Sequence, residues 1–375
     1  MANNNLSGGL YIGLLSGTSI DGVDSALVRL SDQGMVEETL ATATTPFPRG
    51  MAEEIRSLGA KTPLERVCEI DYRLADAFAA AATSMLEQAP ANEVVTAIGC
   101  HGQTIWHNSQ SYPPTSVQLG DANRIAAQTG IQVVTDFRRR DIAEGGQGAP
   151  LAPAFHKHCL SKPHESKAIL NLGGIANITL LPIEAPASTP VSGFDTGPAN
   201  TLLDAWIRKC HGISYDGGGR WAATGNVDGN LLTRLLEDPY FIQPPPKSTG
   251  PEHFSLEWLL KHLDQSFAAE DVQATLVELT AASVAESINR WGGADIDRIY
   301  VCGGGAHNQL LMQRLREWCH PTDVTTTASI GIDPDYVEAL AFAWLAWARL
   351  NHLPGNLPCV TGAHRPAVLG SLYAI

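Results

Sequence analysis

The chain has 375 residues, 44% of them apolar and 17% charged, with a formal net charge of −14. That length points to two or three domains with full cores, and the composition excludes a disordered chain. The excess of carboxylates argues against nucleic acid or an anionic membrane as the main partner, though a nest of backbone N–H groups holds a small anion even on an acidic protein.

Short apolar runs alternate with helical patterns, which reads as an α/β architecture. Leu10–Leu15 predicts a buried strand, and Asp24–Leu30 a second one beyond a Gly-rich turn. Leu64–Leu86 predicts a helix, with Leu74, Phe78 and Ala82 at i, i+4 and i+8. Strands follow at Val94–Gly99 and Ile131–Thr135, the latter after a helix over 122–128. Ala168–Leu172 and Ile178–Leu181 read as a strand pair, Gly193–Phe194 as a strand end, and 198–209 as a helix. Pro-rich Gln243–Lys247 predicts a loop, followed by helices over 255–263 and 272–291. The pattern closes with a strand at Arg298–Cys302 and helices over 307–318 and 336–350. The plan of strand, glycine turn and strand that opens at Tyr11 recurs at Ala168, which suggests an internal duplication or simply two common hairpins.

Seven scattered cysteines without a C-x-x-C pair indicate neither a disulfide framework nor a zinc site. Met1–Gly9 shows no basic and apolar signal pattern, and the longest apolar stretch, Ala339–Ala348, is too short to span a bilayer. A cytoplasmic setting is the expectation.

Three glycine-bearing turns carry the chemistry. In Gly17-Thr-Ser-Ile-Asp-Gly-Val-Asp24, Thr18 and Ser19 add hydroxyls to a turn suited to an anion, and Asp21 and Asp24 are within reach of a hydrated Mg²⁺. Taken alone, this turn reads better as an Asp-Gly hairpin turn with solvated carboxylates than as a ligand site. In Gly193-Phe-Asp-Thr-Gly-Pro-Ala-Asn200, Asp195 is expected at a strand tip facing a helix start, placed as a general base; the bland alternative is a helix cap. In Val301-Cys-Gly-Gly-Gly-Ala-His-Asn308, three glycines between strand and helix offer a backbone platform for an adenine or ribose. His101-Gly-Gln-Thr104, Gln118-Leu-Gly-Asp121 and Gly145-Gly-Gln-Gly-Ala-Pro150 look like substrate-facing loops, and Asp136-Phe-Arg-Arg-Arg140 like a solvated or interface charge run. There is no G-x-x-x-x-G-K-[ST] and no protein-kinase signature, so neither of those nucleotide sites is present.

Gly17–Asp24, Gly99–Thr104, Gly145–Pro150, Asn171-Leu-Gly-Gly-Ile-Ala-Asn177, Gly193–Asn200 and Val301–Asn308 together resemble the anhydro-N-acetylmuramic acid kinases, within the sugar kinase, heat-shock ATPase and actin superfamily. The resemblance implies two duplicated actin-like (ribonuclease H-like) domains with a central cleft, the first over 1–141 completed by 351–375 and the second over 142–350. It implies ATP-dependent phosphorylation of O6 of 1,6-anhydro-N-acetylmuramic acid with hydrolytic opening of the anhydro ring, in peptidoglycan recycling. Asp195 then matches the catalytic base. Gly17, Thr18, Ser19, Ile20, Asp21, Gly22, Val23 and Asp24 match the first phosphate loop, Gly303, Gly304 and Gly305 the adenosine side, and Gly173, Gly174, Asn177 and Gly197 further ATP contacts. Glu338 corresponds to a substrate carboxylate, with His101, Gln103, Asp121 and Gln147 as further substrate contacts. Asp21 is the Mg²⁺ candidate, directly or through water. The implied partner is a small anhydro amino sugar, with a homodimer left open. An ordinary sugar kinase and a nucleotide-dependent chaperone-like module are the rival readings.

Overall fold

Leu10, Ile12 and Leu14 alternate with Tyr11, Gly13 and Leu15 along the first strand, and the strand is buried on both faces. The structure, a computed structural model, describes residues 6–17, 19–109, 112–183, 190–263, 267–292 and 296–375. It divides into two compact units, residues 1–160 with 336–375, and residues 161–335.

The first unit opens with β1 (Gly9–Ser16), β2 (Gly22–Leu30), β3 (Val36–Pro46), α1 (Met51–Arg56) and α2 (Leu64–Leu86). Next come β4 (Val95–Asn108), β5 (Thr115–Leu119), α3 (Ala122–Thr129), β6 (Val133–Thr135), α4 (Phe137–Ala143) and α5 (Ala152–Leu160). The second unit runs β7 (Lys167–Leu172), β8 (Ile175–Leu181), β9 (Ser192–Pro198), α6 (Asn200–His211), α7 (Gly229–Leu236), α8 (Leu256–Leu260), α9 (Ala269–Trp291), β10 (Arg298–Cys302), α10 (Gln309–Trp318) and β11 (Asp323–Thr326). The chain then rejoins the first unit as α11 (Val337–Leu350), α12 (Pro358–Thr361) and β12 (Ser371–Tyr373).

The two sheets carry one plan. The first runs β12-β6-β4-β1-β2-β3 with β5 beside β4, and the second β11-β10-β7-β8-β9. In each, three antiparallel strands continue into two parallel ones: β3-β2-β1-β4-β6 matches β9-β8-β7-β10-β11, pair for pair. The duplicated hairpins of the sequence are therefore the opening strands of two like sheets.

One face of the first sheet packs on α2, where Leu10, Ile12 and Leu14 meet Ile70, Leu74 and Phe78. The other face receives α11. Gly13 and Gly99 are register partners on β1 and β4. A Cβ on Gly13 would lie 1.8 Å from the Ala339 carbonyl oxygen, and one on Gly99 2.0 Å from that of Phe342. Two bare backbones side by side thus let α11 rest directly on the sheet.

The sequence reading and the structure differ in ways that matter for the site. Asp195 lies within β9, not at its tip, and α6 starts only at Asn200. His101–Thr104 is part of β4, because the strand runs on to Asn108 and pairs with β5. Residues 137–143 form a helix, and the unit boundaries fall at 160/161 and 335/336, where the sequence suggests 141/142 and 350/351. The cause of the second shift is α11, whose apolar residues cover β1, β2 and β4 and pack on α5. No helix among the described residues is long and apolar enough to cross a membrane.

Candidate active site

In the second unit a row of polar side chains crosses three strands. Asn171 pairs with Asn177, and Asn177 with Asp195, so the three share one face of the sheet. Cys302 pairs with Asn171 on the other side and brings the Gly303–Gly305 turn alongside. A Cβ on Gly303 would lie 2.3 Å from Asn171 Oδ1, and one on Gly305 2.5 Å from Leu172 Cβ; one on Gly304 meets nothing within 4 Å. Two of the three glycines therefore seat the turn against β7, and only Gly304 presents the open backbone expected of all three. Past the turn, a cavity of about 550 Å³ is lined by Ala306, His307, Thr326, Ala328, Ile332 and Pro334.

Asp195 is half-buried and clasped by the 239–250 segment. The Tyr240 hydroxyl donates to its carbonyl at 2.8 Å, the Thr249 N–H donates to Oδ2 at 2.9 Å, and its own N–H donates to Lys247 O at 3.2 Å. Burial raises the pKa of the carboxyl to about 6; the Thr249 bond and the Lys247 ammonium draw it down, and Glu252 pushes it up. Lys247 is itself buried, donates to Tyr240 O at 3.0 Å, and has its pKa lowered to about 8 by burial and Arg290, against the pull of Asp195. Thr249 Oγ1 is buried without a partner among the described residues.

Asp195 does not cap α6, whose N-cap is Ala199 with no side-chain cap bond. Nor are that helix's first N–H groups open to phosphate. Gly174 O accepts from Ala199 N and Thr201 N at 3.0 Å each, and Gly173 O accepts from Asn200 N at 3.1 Å. The β7–β8 turn uses its carbonyls to satisfy the helix start, which corrects the expectation of free N–H groups there. Gly197 is a packing glycine, since its Cβ would sit 2.7 Å from Phe241 Cε1.

In the first unit, Arg138 is the centre. Its Nε donates to His101 Nε2 at 2.9 Å and its Nη1 to Gly148 O at 2.8 Å. His101 Nδ1 lies 2.9 Å from Gly102 O, so that nitrogen carries the proton and the ring is neutral. Burial and Arg138 hold its pKa well below the usual histidine value. His101 thus orients Arg138 and packs against Phe342 of α11, the ring centroids 4.6 Å apart and the planes tilted by 40°. Glu338, in the first turn of α11, reaches solvent, yet the surrounding protein raises its pKa; Arg138 draws it down and Asp24 pushes it up. Asp24 accepts from the Thr44 hydroxyl at 2.6 Å, and that hydroxyl lies 3.3 Å from the Tyr336 hydroxyl. Burial brings the Arg138 pKa down to about 10, against the pull of Glu338 and Asp141.

A sequence model of the family described as anhydro-N-acetylmuramic acid kinase matches residues 9–375. The chain belongs to the anhydro-N-acetylmuramic acid kinase family. It is an ATP-dependent sugar kinase of peptidoglycan recycling. Among solved structures it is similar to the activator of 2-hydroxyisocaproyl-CoA dehydratase from Clostridium difficile with bound ADPNP, at 14% identity over 92% of this chain and 96% of that one, TM-score 0.43. A glucokinase of the ROK family from Streptomyces griseus, in complex with glucose and AMPPNP, matches at 14% identity over 89% and 98%, TM-score 0.39. The ROK hexokinase from Thermus thermophilus matches at 15% identity over 90% and 99%, TM-score 0.36.

For this family member the first loop holds a distinctive backbone. Ile20 is β-branched yet has φ 53°, in the left-handed region, fixed by its N–H bond to Gly17 O and by packing against the first core. The Ser19 hydroxyl donates to Asp21 Oδ1 at 2.9 Å, Asp21 is exposed, and a Cβ on Gly17 would meet only Ser19 Oγ, at 3.9 Å. Gly22 is packed, its Cβ position 2.4 Å from Thr45 O, and Val23 is a core residue with no exposed surface. Thr18 lies outside the described residues.

Of the other substrate candidates, Gln103 is buried and accepts from the Ser16 hydroxyl at 2.6 Å. Asp121 caps α3 through Asn123 N at 3.0 Å and lines a separate recess with Asp71 and Asp136. Gln147 sits in a turn held by buried Asp141, which accepts from Gly148 N, Asn356 and Thr361, while Gln147 N donates to Thr361 O. The structure brings His101 and Glu338 to Arg138, with Asp24 acting on Glu338, while Asp121 lines its separate recess. Sequence reasoning missed Arg138, Lys247 and Thr249. Arg138 was hidden in a run of three arginines; α4 turns it inward while Arg139 and Arg140 stay exposed. Lys247, the single charge ending a proline run, was the available signal for the clasp.

Proposed function

We propose that the chain phosphorylates O6 of 1,6-anhydro-N-acetylmuramic acid while water opens the anhydro ring, giving N-acetylmuramic acid 6-phosphate and ADP. The observation that carries the reading is the clasped Asp195, whose burial places its pKa at about 6, high enough to accept a proton and low enough to be ionised at neutral pH. Asp195 takes a proton from water as the water oxygen bonds to C1. The C1–O6 bond breaks, and the released O6 attacks the γ-phosphorus as the bond to the β-phosphate oxygen breaks. The Thr249 hydroxyl beside the base, without a partner among the described residues, supports a polar ligand at this point. Asn177 and Asn171 continue the polar row toward the Gly304 backbone, and we assign the cavity beyond it to the adenosine.

We assign His101, Arg138 and Glu338 to the sugar, with Arg138, oriented by His101, presenting its charge to the substrate's carboxylate. The donor set of the first loop fits Mg²⁺: exposed Asp21, with one oxygen on the Ser19 hydroxyl, and Asp24 supply the one or two carboxylates that a largely hydrated ion takes. When bound, Mg²⁺ supplies neutralisation of phosphate charge. This reading sets the reaction in the cytoplasm, where ATP is available.

Reaction in ¹⁸O-labelled water separates this chemistry from its rivals. The label is expected on C1 of the sugar phosphate and absent from the phosphoryl group. Label in inorganic phosphate would mean simple ATP hydrolysis, and unlabelled product from a free sugar an ordinary hydroxyl kinase. Lys247→Met removes a positive charge that favours the Asp195 carboxylate, so the acid limb of the kcat/KM profile should move up by roughly one pH unit, with Lys247→Arg restoring it. An unmoved limb would reduce Lys247 to a cap on the Tyr240 and Phe241 carbonyls.

A further inference from the structure

The arginine run at 138–140 is only partly accounted for by Arg138. Arg139 and Arg140 point instead to a cavity of about 860 Å³ in the first unit, lined also by Asp136, Arg349, His352 and Arg365. Arg139 Nε pairs with Asp136 at 2.7 Å. Arg140 pairs with Glu144 at 2.7 Å, and Arg365 reaches both oxygens of the same Glu144 at 2.8 and 3.0 Å. Arg349, at the end of α11, donates through Nε to Gly370 O at 2.9 Å and has no ion pair among the described residues. Four guanidinium groups therefore share two carboxylates, in a protein whose net charge is −14. His352 completes the rim, on a backbone with φ 56° that its N–H bond to Arg349 O helps to hold.

Like charges gathered around one cavity repel unless an anion lies between them. The planar guanidinium fork matches the oxygens of phosphate two at a time, and the incomplete pairing leaves donor capacity for such a ligand. A polyanion is disfavoured, because the negative charge of the whole chain acts on it at long range while the local excess is only two charges. We propose that this cavity binds a small phosphate-bearing dianion, at a site separate from Arg138 and Glu338.

The test uses the full chain with its nucleotide site filled by saturating non-hydrolysable ATP analogue, and inorganic phosphate at pH 8, where it is the dianion, as the probe in titration calorimetry. Saturable binding is expected, weakened about tenfold or more in Arg349→Gln and in Arg365→Gln, each loss corresponding to one charge-assisted bond. Sugar-dependent turnover of both variants should stay near wild type. Arg139→Gln, an exposed residue, provides the same reading if either of the others fails to fold. No saturable binding at millimolar inorganic phosphate overturns the proposal, as does binding that all the folded variants retain. Failure here leaves the kinase reading intact, since that rests on Asp195 and the isotope test.

Discussion

Asp195→Asn is expected to lower turnover by about 10²–10⁴-fold, the usual loss when a positioned base is removed, with nucleotide binding unchanged. Asparagine keeps the shape, and its amide oxygen can still accept from Thr249 N, but it cannot take a proton at neutral pH. The stability change should run the opposite way. In the folded chain the Asp195 pKa is raised from 3.8 to about 6, so between those values the folded state holds more proton than the unfolded one. Stability from this group is then full below about pH 4 and lost as pH rises through 6. At pH 7 the ionised side chain costs on the order of 1–3 kcal/mol, which asparagine removes. The variant should therefore be inactive and no less stable, by thermal melting at pH 7. Wild-type kcat/KM should fall below pH 6 as the base is protonated. Turnover within a few-fold of wild type in the variant would exclude Asp195 as the base.

Gly13→Val should be the most damaging single change in the first unit. Its Cβ would lie 1.8 Å from the Ala339 carbonyl oxygen, a backbone atom that no rotamer change can move away. Overpacking typically costs about 1–3 kcal/mol, and a clash with helix backbone belongs at or above the top of that range. At roughly 2–4 °C per kcal/mol for a domain of this size, the melting temperature should drop by about 6 °C or more. Because α11 carries Glu338 in its first turn, the affinity for sugar should fall as well, whereas a general loss of stability alone would leave KM unchanged in the surviving folded fraction. Gly50→Ala is the contrast: a Cβ there meets nothing within 4 Å, so only its φ of 84° carries a cost. A Gly13→Val protein that melts like wild type would mean that α11 does not rest on that strand.

Much of this molecule is written locally. Leu64–Leu86 reads as a helix and is one over the same residues, because its apolar positions repeat at helical spacing. The paired hairpins and the glycine turns locate both sheets, and their order along the chain is specific enough to indicate the family. Other elements escaped for equally local reasons. β3, with Glu37, Glu38 and a run of threonines and alanines, lacks a continuous apolar stripe, and β12 has only three residues. The His101–Thr104 segment reads as a loop because its polar residues break the apolar run, yet pairing with β5 keeps it in the sheet.

The chemistry of the site was decided elsewhere. Asp195 acquires its raised pKa from burial, tempered by Thr249, 54 residues away in the chain, and by a lysine that reads as the end of a proline loop. His101 is a fixed neutral ring because it is buried and because Arg138, 37 residues on, turns inward from a run of three like side chains to donate to it. The sequence by itself determined residue types, periodicity and the places where only glycine fits. Which atoms lie within hydrogen-bond reach, and how much water is withdrawn from each charge, came from tertiary packing, because electrostatic energies depend on distance and on the surrounding dielectric, not on separation along the chain.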